Sequence, residues 1–239
     1  MTSFEILLIL GVFCFYVYDS ILVLDSNEFI IYKSESKWSY VYPGYNWRFL
    51  KKTLYIPNIF RPDLALFSAH WRFRTQHDNR TVSCNQLMEF ISHFKYYLWF
   101  LYCLMFICLP AVIYLYGQGV MLLSLFFLVY LNIIFILLIV WRNKKLLLLD
   151  NVNLAKICFE SLACPPFAVN IIRKITINIP VVCDPLIFAE QEFDIALFKK
   201  LLIDITERVD GLLVHIDEGH RDFDKLCLYK NRLDGIKNV

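Results

Sequence analysis

The stretch HIDEGHRDFD, residues 215–224, gathers His215, Asp217, Glu218, His220, Asp222 and Asp224 within ten positions. Imidazole and carboxylate are the groups that bind zinc and harder divalent ions. The two histidines stand five apart, however, whereas a helix brings side chains onto one face at three or four. The stretch therefore reads as a solvated connector, and no metal centre is expected. His70, His77 and His93 are dispersed and receive no ligand role.

The eight cysteines, Cys14, Cys84, Cys103, Cys108, Cys158, Cys164, Cys183 and Cys227, contain no C-x-x-C. The pairs 103/108 and 158/164 lack zinc-finger spacing, so the thiols read as small apolar groups. Seven glycines form neither a phosphate-binding loop nor a dinucleotide fingerprint. G-x-S-x-G and H-E-x-x-H are also missing. No catalytic residue and no cofactor is expected.

The remaining chemically interesting groups lie inside apolar runs. Asp19 interrupts residues 6–24, ILLILGVFCFYVYDSILVL. A carboxylate near mid-membrane costs about 3 kcal/mol on insertion scales, so it signals an ion path, a buried partner or access to water at a nearby boundary. Asn132 sits in the middle of residues 120–141 and could hydrogen-bond a neighbouring helix.

Those runs dominate the chain. Of 239 residues, 58% are hydrophobic and only 19% charged. Residues 96–141 contain no Lys, Arg, Asp, Glu or His. As one helix this run would be more than twice a ~30 Å hydrocarbon core. Divided at Gly117-Gln118-Gly119 it becomes two crossings joined by a turn, with glycine supplying the backbone freedom and Gln118 facing water. Residues 6–24 read as a first crossing rather than a cleaved signal, for want of a basic start and a small-residue cleavage site.

Charge orients the helices. Ten Lys and Arg lie between Asp25 and Lys95 and fourteen between Arg142 and Lys237, with none in residues 1–24 or 116–119. Positive charge beside spans is retained in the cytoplasm, which puts the N-terminus and the hairpin turn outside. Thiols on the cytoplasmic side stay reduced.

In residues 25–95, two aromatic and β-branched runs around Ser34-Glu35-Ser36 predict a β-hairpin, with Trp38, Tyr40 and Tyr42 on one face. A short helix is expected over 63–74. Aromatics mixed with Arg48, Lys51, Lys52, Arg61, Arg72 and Arg74 suggest a layer on lipid headgroups. Nucleic acid is disfavoured at a net charge of +2. Ser83 and Gln86 form a capping box for a helix running into the second crossing, which Pro110 should bend.

After the third crossing, a helix is expected over 151–163, stopped by Pro165-Pro166. An amphipathic stretch over 167–179 follows, suited to a membrane surface. A long helix then starts at Asp184-Pro185, with the apolar stripe Phe193, Leu197, Leu201, Ile205 and Leu212 and a break near Gly211. A last helix covers 222–233. The stripe is a candidate surface for a partner.

The expected architecture is a mainly α-helical integral membrane protein with three transmembrane helices and a mixed α+β cytoplasmic portion. Its segments are 1–24, 25–95, 96–141 and 142–239. The expected role is that of a non-enzymatic interaction protein of a bacterial inner membrane, touching lipid and either a membrane-protein partner or a second copy. Few Ala and Gly with many Phe, Tyr, Ile, Asn and Lys resemble the output of an AT-rich gene of the plasmid or phage kind. This suggests an exclusion or immunity factor. The alternative is an accessory subunit of a transporter or of a lipid-modifying enzyme.

Overall fold

The computed structural model describes residues 3–25, 28–34, 37–42, 48–49, 52–70, 84–117, 119–179, 185–214 and 223–237, with backbone alone at 48, 49, 52, 70, 84–86, 185 and 237. It is mostly helical with a small sheet region. Three helical segments are long and apolar enough to cross a membrane: Ser3–Ser20, Leu87–Tyr116 and Val120–Arg142.

The first segment is helix α1, Ser3–Ser20. Only Ile21 separates it from strand β1, Leu22–Leu24. Strands β2 (Glu28–Ser34) and β3 (Lys37–Val41) form the anticipated hairpin, with Ser34 opposite Lys37. Strands β4 (Arg48–Phe49) and β5 (Lys52–Tyr55) form a second antiparallel pair, and β1 joins β5 to complete a three-stranded sheet.

Residues 66–70, expected within a helix, are strand β6 (Leu66–His70). It pairs antiparallel with β2, Phe67 opposite Ile31 and Ala69 opposite Phe29. Tertiary pairing overrides local propensity here. Leu66 packs with Ile30, Leu24 and Leu64 on one side of the sheet, while Phe67 and Ala69 join the main core on the other. A solvated helix could not bury both sets. The outer edge of β6 is covered as well, because the Leu66 N–H donates to Thr176 Oγ1 at 3.0 Å.

The second apolar segment comprises α2 (Cys84–Cys103), a widened turn at Leu104–Cys108, and α3 (Leu109–Tyr116). Pro110 has no N–H and its ring crowds the carbonyl four residues earlier. The helix accommodates this one turn upstream, where the Leu109 N–H reaches back five residues to the Leu104 carbonyl. At the C-terminus of α3, Gly117 adopts φ 64°, ψ −147°, backbone that non-glycine residues rarely enter. Gly119 is extended and opens α4, Val120–Arg142. Gln118 lies outside the described residues. A Cβ on Gly117 would meet Glu5 Oε1 at 3.8 Å, an ordinary contact. Gly117→Ala is therefore expected to lower stability by about 1–3 kcal/mol through backbone strain alone, read as an earlier thermal aggregation midpoint in detergent. The same contact puts the start of α1 and the α3–α4 turn at one end of the bundle.

Helix α5 spans Asn151–Ala163 as expected, with Asp150 Oδ1 accepting from the Asn153 N–H at 2.8 Å. Pro165-Pro166 end it by opening a new short helix, α6 (Pro165–Ala168), followed by α7 (Ile171–Ile177). The expectation of a surface-lying amphipathic stretch over 167–179 is corrected. Ile171, Ile172, Arg173, Ile175 and Thr176 are all buried, because α7 covers β6 on one side and reaches α1 through Arg173 and Lys174 on the other.

The long helix expected from 184 is two helices, α8 (Pro185–Glu192) and α9 (Ile195–Leu213), separated at Phe193-Asp194. Asp194 is extended and starts the second helix. Gly211 lies within α9 without interrupting it. Helix α10, Phe223–Lys237, packs along α9.

Helices α8 and α9 cover the aromatic face of the β2–β3 hairpin. Trp38 meets Phe188 edge-on at 5.1 Å between ring centroids, Tyr40 stacks on Phe193 at 6.0 Å, and the Arg208 guanidinium lies over Tyr42 at 4.5 Å. The polar segments on either side of the apolar hairpin thus form one layer. Tyr40 donates to Asp204 Oδ2 at 2.7 Å. Burial first, then the Asp204 carboxylate, push the Tyr40 phenol well above its ordinary value. A neutral phenol held in this way contributes stability below the free phenol's pKa of about 10, and that contribution is lost as pH rises beyond it. Alkaline unfolding should therefore begin above about pH 10, and Tyr40→Phe should flatten the pH dependence there, as followed by circular dichroism.

Candidate functional site: a polar junction at the foot of the first helix

The last turns of α1 carry Tyr16, Asp19 and Ser20, which i, i+3 and i+4 spacing places on one face. Tyr16 and Ser20 are each 1% exposed. Against them stand Asn170, which precedes α7, and Arg173 and Lys174 within it, again at i, i+3 and i+4. The two polar faces meet.

Asn170 Nδ2 donates to Ser20 Oγ at 3.0 Å, Asp19 Oδ2 at 3.1 Å and the Tyr16 carbonyl at 3.3 Å. Ser20 Oγ donates to the Tyr16 carbonyl at 2.8 Å. Arg173, only 3% exposed, extends its guanidinium as a fork. Nη1 donates to Asn170 Oδ1 at 2.9 Å and Ser20 Oγ at 3.2 Å. Nη2 donates to the carbonyls of Asn58 at 2.6 Å and Arg61 at 2.7 Å. The Tyr16 hydroxyl donates to the Ile59 carbonyl at 2.5 Å. One guanidinium thereby joins α1, α7 and the 58–61 loop. Burial lowers the Arg173 pKa from its ordinary value, opposed by Tyr16, Tyr55 and Asp63 nearby.

Beside this fork runs a chain of charges. Lys174 Nζ lies 2.8 Å from Asp19 Oδ1 and 2.8 Å from Glu160 Oε2 of α5. It also sits over the Phe167 ring at 4.7 Å. A carboxylate at the end of an apolar helix is costly, and the usual remedy is a paired cation. Two carboxylates and two cations make the junction formally neutral. The Cys164 thiol beside these charges is pushed up chiefly by burial, as is that of Cys158 elsewhere on α5, which makes both poor nucleophiles. The arrangement ties segments together rather than presenting a reactive group.

Asp19 thus lies at this junction, whereas Asn132 stands apart. Its Nδ2 lies 3.4 Å from the Tyr97 carbonyl, a long bond between α4 and α2, next to the Tyr97–Phe135 ring contact at 5.1 Å. Phe193, Leu201 and Ile205 are buried and Leu197 packs against the same core, so the apolar stripe faces the chain's own interior. Among the basic candidates, Arg48 and Lys52 are placed by backbone in β4 and β5. Lys51, Arg72 and Arg74 lie outside the described residues, as do residues 215–222 of the His and acidic stretch. Among the described residues no three potential metal ligands cluster.

Tyr16, Ser20, Glu160, Asn170, Arg173 and Lys174 escaped the reading from sequence. A signal existed, since NIIRKITIN sets an Asn, an Arg and a Lys on one helical face in an isoleucine-rich segment. Taken alone it looks like a polar face turned to water. Only the matching face of α1 shows otherwise.

The architecture defines a class: three candidate membrane helices, the first of them locked by a buried polar junction to an α+β layer. No protein-family model, curated protein or solved structure matches the chain.

Proposed function

We propose that the chain is a membrane-embedded interaction protein that binds or blocks a larger membrane assembly, in the manner of an exclusion or immunity factor of a plasmid or phage. The observation that carries this reading is where the polar groups of the helices go. Asp19 is taken up by Lys174 and Asn170, and Asn132 by Tyr97, while large apolar side chains such as Phe127, Leu131 and Leu138 project outward. Helices organised in this way suit anchoring and lateral contact better than moving a polar solute.

In the same reading the N-terminus and the α3–α4 turn face outward, the polar layer lies in the cytoplasm, and the membrane is a bacterial inner membrane. The partners are lipid and either another membrane protein or a second copy. Expression of the protein alone should reduce plasmid uptake, phage infection or colicin killing. Unchanged susceptibility to all three removes the exclusion role. Purification in mild detergent should recover a stoichiometric membrane partner. Co-purified lipid or ion-dependent activity would instead favour an accessory subunit of a transporter or lipid-modifying enzyme.

A further inference from the structure

Helix α5 is apolar on two sides. Leu154, Ile157 and Ser161 face the core. The opposite side should be charged if water covered it. Instead, at the 3.6-residue helical period, Val152, Phe159 and Ala163 fall within about 40° of one another, with Ala155 and Leu162 beside them. All five are exposed, Val152 and Phe159 at 75% and 74%. Asn151 lies at one edge of the strip, and Lys156 and Asn153 at the other.

The position of the strip says what covers it. Helix α5 begins just after α4 ends, and its Glu160 shares Lys174 with Asp19 of α1. It therefore runs from the foot of one apolar helix to the foot of another. Helix α6 then packs on α1, with Phe167 edge-on to Phe15 at 6.4 Å. Phe15 precedes the end of α1 by five residues, about 7.5 Å of rise, so the α5–α6 corner leans on the flank of the bundle. Helix α5 also packs against α4, whose Leu138 and Trp141 are exposed near its C-terminal end, and the cations Arg142 and Lys145 in the connection and Lys156 in α5 itself are exposed.

We infer that the outward face of α5 is a lipid-binding surface. Val152, Phe159 and Leu162 lie among acyl chains at the headgroup boundary, and Arg142, Lys145 and Lys156 face anionic phosphates. This rests on the reading that the three long helices cross the bilayer, and the test separates the two. The full chain, reconstituted in phosphatidylglycerol and phosphatidylethanolamine vesicles, is made with the photocrosslinker p-benzoylphenylalanine at position 159, at 131 in mid-α4, or at 214 after α9. Lipid adducts read by mass spectrometry should form at 159 within about threefold of the yield at 131 and about tenfold above that at 214. Adducts at 131 with none at 159, or crosslinks to polypeptide at 159, overturn the inference. Absence of lipid at 131 overturns the crossing itself. Lys145→Gln with Lys156→Gln should shift adducts at 159 toward phosphatidylethanolamine by about threefold, and an unchanged ratio removes the cations from the surface.

Discussion

Arg173→Leu is expected to lower stability by about 3–5 kcal/mol, enough to deplete most of the folded protein. The guanidinium gives four hydrogen bonds, two of them to the Asn58 and Arg61 carbonyls. Losing it leaves Ser20 and Asn170 short of a donor where they are buried and the two carbonyls where they are part-buried, and each buried deficit costs about 1–3 kcal/mol. Arg173→Lys should recover only a small part, because one ammonium cannot span the two sides of the fork. The measurement is the detergent-solubilised fraction that remains monodisperse after a heat step. A Leu variant within about 1 kcal/mol of the parent would show that the fork is not a principal support.

The second large effect concerns Lys174. Lys174→Met removes the cation between Asp19 and Glu160 and leaves two carboxylates facing each other, with an expected loss of about 2–4 kcal/mol. Adding Asp19→Asn should relieve the repulsion. The double variant should then be more stable than the sum of the single effects by about 1–3 kcal/mol. Asp19→Asn alone should reduce abundance. Were Asp19 part of an ion path instead, that substitution would abolish activity at undiminished abundance and the two positions would not couple.

The helices that can be read from the chain are those whose local signals agree with their final surroundings. Residues 120–142 are apolar on every side and remain a helix whatever packs on them. Helix α5 carries its own cap in Asp150 and its own stop in Pro165. The β2–β3 hairpin likewise combines β-branched runs with a short connection. Strand β6 could not be found this way, since LFSAH suits a helix equally well and becomes a strand only because β2 offers an open edge. The break at Phe193-Asp194 has a similar origin, in that Phe193 must stack on Tyr40 from another part of the chain. The polar junction was half visible. Asp19 stood out as an anomaly, but its partner lies 155 positions away, as counted from Lys174 in the chain. Single-sequence periodicity does not join such distant faces.

The one-residue link between α1 and β1 has a mechanical corollary. Eighteen residues of helix reach about 27 Å, slightly less than a typical ~30 Å hydrocarbon core. With α1 across a bilayer, the lipid must thin around it or the helix must stand upright. Ile21 provides almost no slack, and the Arg173 fork clamps the same joint from the side. Tilt imposed by a thinner bilayer would be transmitted to the strands as leverage rather than absorbed by a hinge. For a chain so inserted, bilayer thickness would become an input to the shape of the polar layer.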